Sequence, residues 1–122
     1  MHDIYNDTPA PEHVPEPGFY YHYKHDPLGP ENNYAYEVVA VGHHTEEDAR
    51  PEDRFMVAYR PLYDTALVYR LGRMFDLRPL DMFMETVVKD GIEMPRFDKI
   101  DDMELISRLK IICAEMYPQK DC

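Results

Sequence analysis

Turn-forming residues interrupt this chain about every ten positions, too often for long helices over most of its length. Between the interruptions stand short stretches rich in valine, tyrosine and phenylalanine. "YAYEVVAVG" (34–42) is the clearest strand, and "RFMVAYR" (54–60) alternates Phe55, Val57 and Tyr59 on one face with Met56 and Ala58 on the other. "HDPLGPENN" (25–33) and "HHTEEDARPED" (43–53) read as polar loops between them. "MFDLRP" (74–79) reads as a strand stopped by Pro79, followed by one helical turn in "LDMFME" (80–85). Asp90-Gly91 has the composition of a type I′ turn between the apolar arms of "TVVKDGIEMPRF", and "RFDKI" extends the return arm. "TALVYRLGRM" (65–74) is ambiguous between a strand with a hairpin near Gly72 and an irregular helical turn.

The stretch "FYYHYKH" (19–25) is dense in rings and sits directly after Pro17-Gly18. As a first strand from Phe19 to Lys24, it places Phe19, Tyr21 and Tyr23 on one face, mainly core, and Tyr20, His22 and Lys24 on the other. Helical periodicity appears once, in "DDMELISRLKIICAEMYP", where Leu105, Ile106, Leu109, Ile112, Cys113 and Met116 form one stripe. Asp101 and Glu104 stand in capping-box relation, and Pro118 ends the helix. Residues 1–17, rich in proline and acid and without lysine or arginine, are expected to be a flexible tail. The organisation expected is therefore a tail (1–17), a β domain (18–100) and a C-terminal helix with its end (101–122). The fold class is mainly β: a small SH3-like β-barrel or a strongly bent antiparallel sheet, with one amphipathic helix packed on it.

A chain of 122 residues supports one modest core. No apolar run reaches membrane-spanning length, and the first residues lack the basic leader and apolar segment of a signal peptide. Cys113 and Cys122 are poorly placed for a framework disulfide and are read as reduced thiols, which predicts a cytoplasmic protein. A net charge of −11 argues against a general nucleic-acid binder. The charge is uneven, however. Residues 54–80 hold five arginines against two aspartates, a balance of +3, so the remainder carries −14. A local anion site survives that distribution.

The order of "HYK" (22–24), "YEVVAVGHHTE" (36–46), "VAYRPLY" (57–63), "LRPLDMFMETV" (77–87) and "VKDGIEMPRF" (88–97) resembles a small bacterial family, domain-of-unknown-function family number 1653. The resemblance covers about residues 18–100. Two departures stand out: the long loop 25–33 after H-Y-K, and residues 64–74, which look like an insertion before Arg78-Pro79. The resemblance implies a β-rich fold and supplies no activity.

The candidate site residues are polar or aromatic side chains on this framework. His22, His25, His43 and His44 are numerous, yet their spacing matches no metal site, and no metal or cofactor is expected. His44-Thr45-Glu46 matches an H-[ST]-E motif that the resemblance highlights; it serves either as an acid–base site or as a loop fastener. Arg60, Arg78 and Arg96, the first two followed by proline, suit anion recognition or internal ion pairs. On a bent sheet, Tyr59 and Tyr63 could line an exposed groove with residues of the first strand. No phosphate loop, nucleophile elbow or catalytic carboxylate pair is present, so no catalytic residue is assigned. The function expected is a binding module for an anionic or extended ligand, a peptide or a nucleotide-like molecule. Its surface would comprise His22, Lys24, His44, Thr45, Glu46, Tyr59, Arg60, Tyr63 and Arg78. Two alternatives stand beside it: an enzyme or enzyme accessory using His44 and Glu46, and association with a second copy or another protein through the helix stripe.

Overall fold

The computed structural model describes residues 9–65 and 74–118. Among the described residues seven strands form, in chain order: β1 (Gly18–His22), β2 (Ala35–His43), β3 (Phe55–Pro61), β4 (Asp76–Pro79), β5 (Thr86–Lys89), β6 (Ile92–Pro95) and β7 (Phe97–Lys99). A short helix α1 (Leu80–Phe83) follows β4, and the C-terminal helix α2 spans Met103–Met116. Five strands make one antiparallel sheet in the order β4-β3-β2-β1-β7, while β5 and β6 form a separate hairpin. The fold is thus mainly β with one long helix. Of the two forms expected, it is the bent sheet, because β4 and β7 remain edges and no barrel closes.

How strongly the sheet bends follows from its rings. Strands β3 and β7 are three steps apart, which in a flat sheet is about 14 Å. Yet the ring centroids of Tyr59 on β3 and Phe97 on β7 are 5.5 Å apart. The curl brings the two edges towards each other, and Arg78 of β4 lies over the Phe97 ring at 5.6 Å. One local cause is a bulge in β2, where register with β3 shifts between Val38 and Ala40. An extra residue on one strand increases local twist and bends the sheet.

Curling divides the core in two. Inside the curl, Tyr20, Val38, Val57, Tyr59, Leu80, Phe83 and Phe97 are buried together, with Tyr36, Val41 and Phe55 against them. Here α1 acts as a plug: Phe83 stacks on Phe97 at 4.1 Å and meets Tyr20 and Tyr59 edge-on. On the outer face, α2 packs Leu109, Cys113 and Tyr117 onto Phe19, Ala35, Leu62 and Ile100. Leu105, Ile106, Ile112 and Met116 complete that contact, so the helix stripe lies on the chain's own sheet. The helix begins one residue later than the capping-box reading placed it. Asp102 is the cap and accepts from the backbone N–H groups of Glu104 and Leu105.

Both faces of β1 are consequently covered. Phe19 and Tyr20 are equally buried, and His22, expected on a surface face, is 9% exposed. The period-2 argument separated the faces correctly, but it assumed that one of them meets water. The curl and α2 bury both. Cys113 is not the free thiol expected, because it is disulfide-bonded. Cys122, the tail residues 1–8 and most of the ambiguous stretch 65–74 lie outside the described residues.

The β5–β6 hairpin turns at Asp90-Gly91, whose φ values of 53° and 77° suit the expected turn. The return arm, however, breaks at Arg96. Residues 92–95 pair with β5, whereas 97–99 cross to pair with β1. A single run of sequence therefore serves two sheets.

Candidate functional site

Strand ends and loops bring polar side chains together around the Phe97 ring, whose face stacks on Phe83 of α1. Phe97 is the hub. The rings of His22, Tyr36 and Tyr59 lie 5.0, 5.7 and 5.5 Å from it, and the Arg78 guanidinium lies over it. His22 faces inward because β1 pairs it with Phe97 and alternation sets it beside Tyr20. Arg78 joins it because β4 pairs with β3 opposite Val57, on the Tyr59 face. Tyr63, just beyond β3, reaches back so that its hydroxyl is 2.5 Å from that of Tyr36.

The histidine is held neutral. Its Nδ1 accepts from the Lys24 backbone N–H at 3.2 Å, which leaves the proton on Nε2. Burial, reinforced by the positive charges of Arg78, Lys24, Arg96 and Lys89, lowers its pKa to about 4. Of these cations, Arg96 pairs with Glu85, and Lys89 donates to the Tyr23 carbonyl at 3.0 Å. Arg78 has a different status. Its Nε donates to the Tyr59 hydroxyl at 3.2 Å, and it joins no ion pair among the described residues. Burial raises the pKa of both Tyr36 and Tyr63, so both hydroxyls keep their protons across the physiological range.

Tyr34 completes the rim. It is partly exposed, its ring is 5.8 Å from His22 and 5.6 Å from Tyr63, and its φ is 51°. A left-handed conformation is uncommon for a bulky residue and persists only where its surroundings hold it. Here the Ala35 amide bonds the Asn32 carbonyl and the Tyr34 carbonyl accepts from His22 N–H, fixing the backbone on both sides.

The expected site residues therefore separate into three groups. His22, Tyr59, Tyr63 and Arg78 come together at this rim, while Lys24 reaches it through its backbone N–H on His22 and carries its ammonium 6.0 Å from the Tyr23 ring. Arg60 does not join them. It is 1% exposed on the opposite face, with Nε 2.7 Å from Glu37 and its guanidinium 3.9 Å over the Tyr117 ring. It is a structural ion pair beneath α2. His44, Thr45 and Glu46 form the third group and lie exposed in the loop after β2. The Arg54 side chain gathers that loop by donating to the carbonyls of His44, Glu46 and Ala49. The fastener is thus an arginine from the next strand. His44 borders an apolar hollow of about 510 Å³ with Gly42, His43, Asp53, Met56 and Leu77, but Glu46 does not line it. A second hollow, about 370 Å³, lies between Pro17, Lys99 and α2. Neither touches the His22–Arg78 rim.

Tyr34, Tyr36, Phe97 and Lys89 were not singled out for the site from sequence. The five-residue spacing of Arg96 from Gly91 gives no hint that the return arm breaks and turns that side chain towards His22. No group of three metal-ligating side chains converges among the described residues. His25 instead stacks on Tyr21 at 3.6 Å and bonds the Asn33 carbonyl, helping to order the long loop 25–33.

The model of the family described as "Protein of unknown function (DUF1653)" matches residues 18–99. The chain belongs to this family. The match begins at β1 and ends at β7, so every strand of the DUF1653 domain lies within it, and α2 follows it. No curated protein matches, and no solved structure matches. Among the described residues, no helix is long and apolar enough to cross a membrane.

Proposed function

We propose that this DUF1653 protein is a small binding module whose ligand carries negative charge and docks on the rim formed by His22, Lys24, Tyr34, Tyr59, Tyr63 and Arg78. One observation carries the reading. In a chain of net charge −11, Arg78 is held over an aromatic ring without a carboxylate partner among the described residues. Side chains of that kind are usually paired in small domains. The partly exposed Tyr34 and half-buried Tyr63 of the same rim offer flat surface at low entropic cost. The acidic remainder of the chain disfavours a long polyanion, which leaves a small anion or a short acidic segment of an extended ligand.

A thermal-shift series tests this, because a ligand that binds only the native state raises its apparent stability. Small phosphates, sulfates and carboxylates are screened against wild type, Arg78→Ala and His44→Ala. At least one anion should raise the melting temperature of wild type and His44→Ala but not of Arg78→Ala. A stabilisation that survives Arg78→Ala and disappears in His44→Ala would move the site to the other loop. The disulfide at Cys113 removes the reduced-thiol argument for a cytoplasmic setting.

A further inference from the structure

The rim is rich in hydrogen-bond donors that no bond engages. Arg78 carries five N–H donors and no acceptor, and only Nε is engaged by a hydrogen bond, leaving the four on its terminal nitrogens. The Tyr59 hydroxyl accepts that bond, so its own hydrogen remains to be given. The Tyr36 and Tyr63 hydroxyls share one hydrogen between them, and the second is left over. His22 has its acceptor nitrogen occupied by the Lys24 amide, so Nε2 offers a hydrogen as well. The Lys24 ammonium, 6.0 Å from the Tyr23 ring centroid, adds three more donors. The acids facing this end are Asp76, beside Tyr36 and Tyr63, and Glu85, which Arg96 engages.

We infer that the rim, rich in hydrogen-bond donors and with the Asp76 carboxylate at its Tyr36–Tyr63 side, is a cradle for the phosphate group of a small ligand, either free phosphate or a phosphomonoester. This rests on the binding-module reading and names its ligand class. A carboxylate is planar, with two oxygens, and the arginine fork alone can satisfy both. Here donors come from three different strands or strand ends: His22 from β1, Tyr59 and Tyr63 from β3 and the residues after it, and Arg78 from β4. A tetrahedral group with three terminal oxygens accepts from all of these directions; a planar one leaves some unmet. Unmet buried donors cost affinity, which is the basis of the discrimination. Retained protons matter too. A tyrosinate or an acceptor histidine nitrogen would repel phosphate oxygens, and the raised tyrosine pKa values and the occupied Nδ1 exclude both.

Calorimetric titration of the intact protein with inorganic phosphate, phenyl phosphate and benzoate tests the inference in three variants. The expected result is that one or both phosphates bind at least about tenfold more tightly than benzoate, as charge-assisted bonds from several donors require. The tighter of the two names the source. Arg78→Lys, which keeps the charge and loses the fork, should weaken phosphate binding about tenfold or more. Tyr59→Phe keeps the buried ring and removes only the hydroxyl, so it should weaken phosphate several-fold while lowering the melting temperature no more than the loss of one hydrogen bond does. Equal affinity for benzoate and phenyl phosphate, both lost in Arg78→Ala, overturns the phosphate class and leaves the anion-binding module standing. Heat from none of the three overturns the cradle, and if the thermal-shift series also finds no anion, the module reading falls with it.

Discussion

At the scale of single residues, two arginines that look alike in sequence do opposite work. Both precede proline, and both lie on strands of the same sheet. Alternation sends Arg60 to the α2 face, where Glu37 and the Tyr117 ring receive it, and sends Arg78 to the inside of the curl. Arg60→Ala should destabilise the protein by about 3–5 kcal/mol in urea unfolding, because it leaves Glu37 half-buried without this partner. Arg78→Ala should cost no more than about 1 kcal/mol, the net worth of one hydrogen bond. His22 makes a prediction in pH. Its pKa is about 4 when folded, against an ordinary histidine value of 6.5, so the unfolded chain binds more protons between those values. Its contribution to stability is then complete above about pH 6.5 and is lost as pH falls towards 4. His22→Gln should flatten the melting-temperature profile across that window while shifting its level. An unchanged slope would show that other groups set it. Sequence reasoning found His22, Tyr59, Tyr63 and Arg78 from residue type and strand alternation. It could not separate Arg60 from Arg78, since which face each strand turns to the helix depends on pairing register.

At the scale of elements, local chemistry was legible wherever one residue dictates the backbone. Asp90-Gly91 specifies its turn, the prolines bound their strands, and the apolar stripe specifies α2. Gly91 has φ 77° and open space around a would-be Cβ, so Gly91→Ala should cost about 1 kcal/mol through backbone conformation alone. Asp102→Ala should cost about 1 kcal/mol by exposing two amides at the start of α2, whereas Asp101→Ala should be nearly neutral. Chemical denaturation of the pair checks which aspartate is the cap. What local pattern could not show is the break at Arg96. Residues on both sides of it are competent strand formers, and only the competition between β5 and β1 for partners decides where the run divides.

At the scale of the whole molecule, the curl links fold to proposed function. An open sheet with two buried faces normally needs a layer on each. Here α2 supplies one layer, and the sheet supplies the other by bending over itself around Phe83 and Phe97. Bending also brings together side chains from β1, β3 and β4, although these strands are not all neighbours. That cluster was only half legible in the sequence, which predicts a bent sheet but not which side chains the bend gathers. The same architecture places the helix stripe inside the molecule, so Leu109→Ala should destabilise by about 2–5 kcal/mol without altering the mass in solution, as measured by light scattering.

The most direct measurement of the central claim is a nuclear magnetic resonance titration with inorganic phosphate, following the ring nitrogens of His22 and the Arg78 Nε signal. The account predicts saturable shifts at both, abolished by Arg78→Ala, with the His22 Nε2 proton moving as it gains an acceptor. Shifts confined to Lys99 and Lys110, beside the hollow near α2, with His22 and Arg78 unmoved, would contradict it.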